Sequence, residues 1–494
     1  MTHVKINAKD GSPVEFIKKD PKQGGMKDVY FAPDKKYVVA FFRNKLDVNG
    51  LERLEKLVGQ YHKGIFGQAG GDYWKDLYCW PNKIVEHEGL TGIVVPTYQS
   101  QYFFGQATSL AGGEKEGKWF ASAKNFNRFV PPEEKGTLLG YLQICLKLSR
   151  AVRRLHAAGL AHSDLSYKNC LIDPAGGNAC IIDIDGLVVP GLFPPDVLGT
   201  PDFMAPEVVS TLHLPIKNSD RKLPKRETDQ HALSVLIYMY LFHRHPLRGS
   251  KVHDTDSETQ ERLEMGEKAL FIEHPTDKSN FPTKFSEIEK RDCMPWVDPK
   301  RLPYTICGPL LKPLFDQAFI DGLHNPASRP TAEEWEVALA KTFDMIQPCQ
   351  NQKCEKKWFV FDNSTQPKCP YCNTPYKGVL PVLDFYSTRR LGENYRPDNH
   401  RLMVFNGQSL STWHVDRKIA PNEKLTPEQK KRVGYFQFHN GKWFFVNETL
   451  PGMKDVAKDQ PIPIKGNVEL TDGLQLLLSP EESGRLVNVK IVKS

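Results

Sequence analysis

The feature that most constrains this chain is a polar loop that follows a long amphipathic helix pattern. Apolar residues recur at helical spacing from Leu138 to His156, and the chain then reads His162-Ser-Asp-Leu-Ser-Tyr-Lys-Asn169. A carboxylate at Asp164 can accept the proton of a hydroxyl group, and the amide oxygen of Asn169 can turn back to hold a metal ion. An Asp and an Asn at this spacing could also form an ordinary polar loop, and the neighbouring motifs decide between the two.

Four further motifs follow the loop in a definite order, which indicates a functional site. The first is an apolar strand that ends in carboxylates, the ligands that magnesium prefers, and the third opens a strongly apolar helix. The four are Ile181-Ile-Asp183-Ile-Asp185-Gly186, Gly199-Thr-Pro-Asp-Phe-Met-Ala205-Pro206-Glu207, Glu227-Thr-Asp229-Gln-His-Ala-Leu-Ser234 and Asn325-Pro-Ala-Ser-Arg329-Pro330-Thr331.

These motifs resemble, in the same order, those of eukaryotic-type protein kinases. The resemblance implies a bilobal α+β kinase fold, with ATP and Mg²⁺ (or Mn²⁺) as cofactors. It implies Asp164 as the catalytic base and Asn169 as a magnesium ligand. In such kinases the residue matching Asp229 caps the catalytic loop from below, and a late arginine such as Arg329 pairs with the glutamate matching Glu207.

The motifs depart from the usual kinase pattern beside Asp164 and at the expected metal ligand. Ser163 follows His162, a structural residue of the motif, in place of the usual arginine, so activity should not depend on a phosphorylated activation loop. The principal magnesium ligand is either Asp183 or Asp185. Asp183 is preferred, since its distance along the chain from Asn169 is closer to that of ordinary kinases, while Asp185 could still contact a metal.

The amino-terminal part carries a less regular nucleotide-binding pattern. Gly24-Gly25-Met-Lys27-Asp-Val29-Tyr, then Tyr37-Val-Val-Ala40-Phe-Phe42-Arg43, resembles a Gly-rich hairpin followed by the strand V-A-I-K, with Phe42 at the position of the lysine. That lysine holds the α- and β-phosphates and pairs with a glutamate of the next helix, so its loss must be compensated. Strand alternation puts Ala40 and Phe42 on the nucleotide face and Arg43 on the other.

Lys27 is preferred over Arg43 as the substitute, because its position resembles the relocated lysine of the with-no-lysine kinases. Its acidic partner is expected to be Glu55, or else Glu52, although a solvated helix face is the competing interpretation of both. The remaining nucleotide contacts are expected from the glycine loop, the next strand and the hinge: Gly24, Gly25, Val29, Ala40, Pro96 and Tyr98.

Four cysteines behind the kinase motifs have the spacing of a metal site. Cys349-x4-Cys354 and Cys369-Pro-Tyr-Cys372 form two pairs that can close a tetrahedral thiolate site around structural Zn²⁺. Four thiolates leave no open position for water, which disfavours a catalytic metal. A ribbon this short has almost no core of its own, so zinc would supply most of its folding free energy.

The last part of the chain reads as an all-β sandwich. The pair Asn440-Gly441 lies between two aromatic runs and is a strong hairpin signal. Ser411-Thr-Trp-His414, Val446-Asn447 and the segment from Gly466 to Gly473 look like a forkhead-associated domain. A phosphothreonine reader of that family also has a Gly-Arg motif, for which the chain offers only Arg389-Arg390-Leu-Gly392. A reader and a purely structural sandwich therefore both remain open.

Composition is typical of a globular protein, with 40% hydrophobic and 25% charged residues among 494. The formal net charge of +7 is small for this length, so we expect no nucleic-acid partner. The amino terminus has no apolar core of a signal peptide, and the longest apolar run, Ala232 to Phe242, is too short to span a bilayer. The sequence thus predicts a cytoplasmic protein without a membrane partner.

We expect a kinase domain at 11–345 (lobes 11–98 and 99–345), a zinc ribbon at 346–376, a linker at 377–400 and the β-sandwich at 401–494. This architecture resembles the bacterial signalling kinases of tellurite-resistance-associated triads, which are encoded beside a von Willebrand-A protein and a magnesium-dependent phosphatase. The resemblance implies the first as a substrate and the second as the enzyme that reverses the reaction.

Two functions are compatible with the sequence. Asp164, Asn169 and Asp183 favour an active kinase, and Thr200 in Gly-Thr-Pro favours serine and threonine over tyrosine as acceptors. Phe42 favours a pseudokinase scaffold that assembles partner proteins through the kinase fold, the zinc ribbon and the β-domain.

Overall fold

The computed structural model describes residues 2–23, 26–68, 70–106, 109–189, 199–215, 217–361, 367–390 and 392–493. The chain divides into two compact units. The first comprises Met1–Tyr304 with Pro313–Glu336, and the second comprises Thr305–Lys312 with Val337–Ser494. Within the described ranges, every helix is too short or too polar to cross a lipid bilayer.

The first unit opens with β-structure. A hairpin pairs Thr2–Asn7 with Pro13–Lys18. An antiparallel sheet follows, in the order Lys22–Gln23, Lys27–Phe31, Tyr37–Phe42, Leu90–Pro96 and Lys83–His87. A further hairpin, Cys170–Asp173 with Asn178–Ile181, comes later in the chain.

The strand Tyr37–Phe42 contributes to two separate cores, because successive side chains point to opposite faces of a sheet. Phe41 packs with Phe16 of the first hairpin, whereas Phe42 packs with apolar side chains from the helix that follows the strand. Lys27 lies directly opposite Phe42 on the neighbouring strand. Residues opposite one another share a face, so Lys27 and Phe42 project to the same side of the sheet.

Two long helices occupy the centre of the helical part of this unit. Leu138–Ala157 begins at Thr137, whose side chain accepts a backbone N–H of the first turn, and Arg226–Phe242 is buried along most of its length because it is apolar on nearly every side. The shorter helices are Val48–Lys56, His62–Phe66, Gly71–Lys75, Lys118–Ala121, Ala123–Arg128, Pro206–Val209, Ser257–Met265 and Glu287–Asp292. Lys312–Asp316 and Ala332–Thr342 cross the division of the chain into units.

The second unit is rich in β-structure. A six-stranded sheet runs in the order Arg396–Met403, Val379–Ser387, Arg485–Lys493, Gln475–Leu477, Lys454–Asp455 and Gln460–Pro461. A four-stranded sheet runs in the order Ser409–Ser411, Arg432–His439, Lys442–Asn447 and Asn467–Glu469. Both sheets contribute to one buried apolar cluster, with Phe385 and Val487 from the first and Phe436 and Phe445 from the second. Short elements complete the unit: Ile346–Pro348 paired with Trp358–Val360, and the helices Thr412–Val415 and Pro427–Lys430.

The stretch 377–400, expected to be a linker, is instead part of the six-stranded sheet. Val379–Ser387 pairs along its whole length with Arg485–Lys493, and Arg396–Met403 pairs on its other side. The strand Arg396–Met403 is polar because it lies at the edge of the sheet, where exposed polar side chains are tolerated. The β-domain therefore begins near Val379.

Candidate active site

The carboxylate of Asp164 is held by hydrogen bonds at both oxygens. Oδ1 accepts the hydroxyl of Thr200 at 2.9 Å, and Oδ2 accepts the side-chain Nδ2 of Asn169 at 2.8 Å. The same Nδ2 also donates to the main-chain oxygen of Asp164 at 2.8 Å. Since the amide nitrogen of Asn169 makes these bonds, its Oδ1 is the atom that remains to bind a metal ion.

The loop that carries Asp164 is anchored from the helix Arg226–Phe242. Asp229, in the first turn of that helix, accepts the main-chain N–H of His162 at 2.8 Å and lies 3.1 Å from Nε2 of His156. Nε2 of His162 lies 3.1 Å from the carbonyl oxygen of Ile182, one residue before the first of the two candidate metal carboxylates. The loop of Asp164 and the segment of Asp183 are therefore tied together through one histidine.

Arg329 and Glu207 form a largely buried, two-pronged ion pair, in which Glu207 is 19% exposed. The guanidinium nitrogens lie 2.9 and 2.7 Å from the two carboxylate oxygens. Arg329 also donates to the carbonyl oxygens of Gly322, Leu323 and Glu227, so the charge is fully hydrogen-bonded. This pair fixes the segment that follows Thr200, which contacts the base.

A cavity of about 620 Å³ lies between the sheet and this loop, within the first unit. Its sheet wall includes Lys27, Val29, Ala40 and Phe42, and its opposite wall includes Asp164, Asn169, Asp183 and Asp185. Pro96 and Tyr98, expected as hinge residues, also line it. Gly24 and Gly25 lie outside the described residues.

Lys27 joins the two walls of the cavity. Its Nζ lies 3.0 Å from Oδ1 of Asp183 and 2.7 and 2.6 Å from the two oxygens of Asp185. Burial lowers the pKa of Lys27, but the nearby Asp185 and Asp183 carboxylates outweigh it, so this pKa is raised above its usual range. Burial raises the pKa of Asp183, but the Lys27 ammonium prevails and lowers it. Nζ also lies 5.5 Å from the ring centroid of Phe42, within range of a cation–π contact.

The structure does not bring together every residue expected at the phosphates. Arg43 donates to Asp28 at 2.9 Å and is not part of the cavity wall. Glu55 lies 3.0 Å from Lys9, and Glu52 lies 2.9 Å from Lys56 on the same helix. Both glutamates are about half exposed, at 50% and 51%, and neither lines the cavity.

Arg53 and Glu114 are among the residues of the cavity wall that the sequence pattern does not indicate. Arg53 projects into the cavity from the helix Val48–Lys56 and is only 6% exposed. The helical spacing of buried Leu54 and Leu57 would have placed Arg53 on the inner face. Glu114 also lines the cavity and pairs with Lys22 at 3.5 Å, but it follows the hinge in an irregular segment where no pattern marks it.

The donor set of the cavity fits a magnesium ion. The carboxylates of Asp183 and Asp185 and the amide oxygen of Asn169 are hard oxygen ligands. The ammonium of Lys27 already lies within 3.0 Å of both carboxylates, so these oxygens converge on a position suited to positive charge. Asp183 is 54% exposed and Asp185 is 11% exposed, so Asp183 is the more accessible of the two to an incoming ion.

The four cysteines of the second unit come together. All four sulfurs lie within 4.8 Å of one another, with 3.5 Å between Cys349 and Cys372 and 3.8 Å between Cys354 and Cys369. Zinc–sulfur bonds of about 2.3 Å in a tetrahedron put sulfurs about 3.8 Å apart, so the geometry fits zinc. The cysteines share a buried cluster with Phe359 and with Leu380, Val382 and Met403 of the β-domain.

A second group of possible metal ligands, Asp344, His400 and His414, also lies in this unit. Nδ1 of His414 accepts the main-chain N–H of Ser411 at 2.9 Å, so the proton of the neutral ring is on Nε2, which is 3.2 Å from Asp344. A metal ion could bind Nε2 of His414 only if that nitrogen lost its proton, and Nδ1 is already occupied as a hydrogen-bond acceptor. The group is therefore a buried hydrogen-bonded cluster.

The side chains that resemble a forkhead-associated site are used inside the second unit. Ser411 is buried, and its main-chain N–H donates to His414. Asn447 is fully buried, and its Nδ2 donates to the carbonyl oxygens of Leu450 and Ile462 at 2.8 and 2.9 Å. These contacts support structural roles for both residues.

Comparison with known proteins identifies one domain. Residues 129–335 match the model of the protein kinase domain. A segment of 110 residues, 22% of this chain, is 33% identical to Death-associated protein kinase dapk-1 of Caenorhabditis elegans and covers 7% of that protein. The chain therefore contains a protein kinase domain. The match begins after the sheet that carries Lys27 and Phe42.

Proposed function

We propose that this chain is an ATP-dependent Ser/Thr protein kinase in which Lys27 holds the nucleotide phosphates. The observation that carries the proposal is the arrangement at Asp164, whose two oxygens are held by Thr200 and Asn169 at the edge of the cavity. A carboxylate fixed in this way presents a lone pair toward the space where an acceptor hydroxyl would enter.

The reaction follows from this geometry. A serine or threonine hydroxyl of a substrate protein attacks the γ-phosphorus of ATP and gives its proton to Asp164. The new bond joins the substrate oxygen to phosphorus, and the bond from phosphorus to the β–γ bridging oxygen breaks, which releases ADP. Magnesium, when bound, would neutralise phosphate charge beside Asp183, Asp185 and Asn169.

Lys27 would take the role of the lysine that Phe42 replaces. The two residues are opposite neighbours on adjacent strands and face the same cavity, so the positive charge is displaced by only about 5 Å across the sheet. Its contacts with Asp183 and Asp185 keep the ammonium at the metal end of the cavity. The replacement of the usual lysine by Phe42 is therefore weaker support for a pseudokinase than the sequence alone suggests.

Phosphate transfer from labelled Mg-ATP tests the proposal. We expect the full-length chain to phosphorylate itself or a protein substrate, and Asp164→Asn to lower the rate by about two to four orders of magnitude. Asp220→Asn, an exposed residue outside the cavity wall, is the matched control and should retain the wild-type rate. Absence of transfer by the wild-type chain with every substrate tried would favour the scaffold function.

The resemblance to triad kinases suggests which substrate to try first. A von Willebrand-A protein would be phosphorylated, and a magnesium-dependent phosphatase would remove the phosphate. The kinase domain supports protein substrates in general. Phosphorylation of the von Willebrand-A protein by wild type but not by Asp164→Asn would support this partner.

We further propose that the cysteine group binds one structural zinc ion that stabilises the β-rich unit. The cluster shared by the cysteines and three β-domain side chains supports this coupling. Cys369→Ser should lower the bound zinc from one ion per chain to none and reduce the stability of the second unit. Cys293→Ser, a buried cysteine of the first unit, should leave the zinc content unchanged.

A further inference from the structure

The helix Val48–Lys56 presents a cation to the nucleotide cavity. In the kinase pattern this helix supplies a glutamate to the phosphate-binding lysine, but here its glutamates point away from the cavity. Arg53 projects inward instead and is 6% exposed. The phase of the helix sets this orientation, because Leu54 and Leu57 are buried on the same side.

The contacts of Lys27 explain why the helix need not supply an acid. Lys27 has two carboxylates of its own, Asp183 and Asp185, on the opposite wall. An acid on the helix would add a fifth carboxylate to a cavity that already contains those two, Asp164 and Glu114. A triphosphate brings about four more negative charges, so a cation is the complementary group at this position.

Arginine is well suited to bind phosphate in such a place. Its guanidinium stays charged when it is buried, and its planar fork can donate two parallel hydrogen bonds to phosphate oxygens. Lys27 and Arg53 reach the cavity from different elements, a strand and a helix, so they can grip different oxygens.

We propose that Arg53 is a second phosphate-binding residue, which contacts the phosphate chain of a nucleoside triphosphate bound in this cavity. The inference rests on the proposed function only in that the cavity binds ATP, and it does not require that phosphate be transferred. It predicts a selective contribution to the binding of phosphates and none to the binding of the nucleoside.

Calorimetric titration of the full-length chain with ATP and with adenosine, in the presence of magnesium, tests this role. Arg53→Gln should weaken ATP binding about 10- to 100-fold, as expected for lost hydrogen bonds to a charged group, and leave adenosine binding within about twofold. Lys56→Gln, a cation of the same helix that does not line the cavity, is the control and should leave the affinities for both ligands unchanged.

The conservative variant Arg53→Lys keeps the charge but removes the planar fork. We expect it to lose about 3- to 10-fold in ATP affinity with adenosine binding unchanged, which also tests the proposal if Arg53→Gln does not fold. Unchanged ATP binding in both variants, or equal losses for ATP and adenosine, would overturn the inference. A wild-type chain that binds ATP through Arg53 but transfers no phosphate would overturn the proposed function alone.

Discussion

The two walls of the cavity in the first unit differ in how closely they follow the kinase pattern. On the loop wall, Asp164 and Asn169 stand at the expected spacing and contact one another directly. On the sheet wall, Phe42 stands where a lysine is expected, and the positive charge is instead on the neighbouring strand, at Lys27. The helix contributes Arg53 to this wall in place of an acid.

This difference shows which groups of such a site can be supplied from another position in the sequence. The base must meet an acceptor hydroxyl at hydrogen-bonding distance, so it is fixed by a short loop and by anchors beneath it. Positive charge around a flexible triphosphate can arrive from any element that faces the cavity, because the electrostatic attraction depends on distance and not on the element that supplies it. The residues of the loop wall therefore keep the spacing of the kinase pattern, whereas the cations of the sheet wall stand at other positions in the sequence.

Breaking the anchors of the loop wall should give the largest effect on stability. Arg329→Gln leaves Glu207 without its partner, and the loss of one member of a buried ion pair costs about 3–5 kcal/mol. Arg301→Gln, at an exposed pair with 3.7 Å between its charges, should change the free energy of unfolding by less than about 0.5 kcal/mol. Urea unfolding of the variants measures both, and equal small losses would show that the loop wall does not depend on this pair.

Asp229→Ala should have an intermediate effect and should act on the reaction. Asp229 accepts the N–H of His162, and the loss of a hydrogen bond to a charged group costs about 1.5–3 kcal/mol. Because the bond orients the loop that carries Asp164, we expect kcat for phosphate transfer to fall about 10- to 100-fold with little change in KM for ATP. A change in KM alone would place Asp229 with the nucleotide and not with the base.

Acidification should have the smallest effect on stability, and it should act on the contact between Lys27 and Asp183 that joins the two walls. Lys27 lowers the pKa of Asp183, and a carboxylate with a lowered pKa contributes stability that is present above its unfolded pKa of about 3.9 and is lost as the pH falls through the folded value. The stability difference between wild type and Lys27→Met should therefore shrink as the pH is lowered from 6 toward and below about 3.9. A difference that stays constant over this range would show that the two charges are not coupled.

The sequence allowed the loop wall to be placed because its contacts are local or follow a fixed order. Asn169 is close to Asp164 in the chain, so their spacing alone brings them together. The inner face of the helix does not follow from residue types alone, since a glutamate is the expected partner of the lysine, whereas the buried leucines set the phase that turns Arg53 inward. The spacing within each cysteine pair was informative for the same reason as the loop, since the two members of a pair are close in the chain, although the shortest sulfur distances join cysteines of different pairs.

The strand Arg396–Met403 is hard to recognise in the sequence because its composition is polar. Its partner in the sheet, Val379–Ser387, is close to it in the chain. An edge strand buries few side chains, so the alternation that marks a strand is weak. Glu114 was missed for a related reason, since it reaches the cavity from an irregular segment and is placed there by tertiary contacts alone.

We propose that the phosphate-binding lysine of this chain is Lys27, on the strand next to the one that carries Phe42. The most direct test compares phosphate transfer from Mg-ATP by wild type, Lys27→Met and Arg43→Gln under identical conditions. We expect Lys27→Met to lose at least about 100-fold in kcat/KM, as for the loss of a charged contact in the transition state, and Arg43→Gln to stay within about twofold of wild type. Loss of transfer in Arg43→Gln with full activity in Lys27→Met would contradict the account.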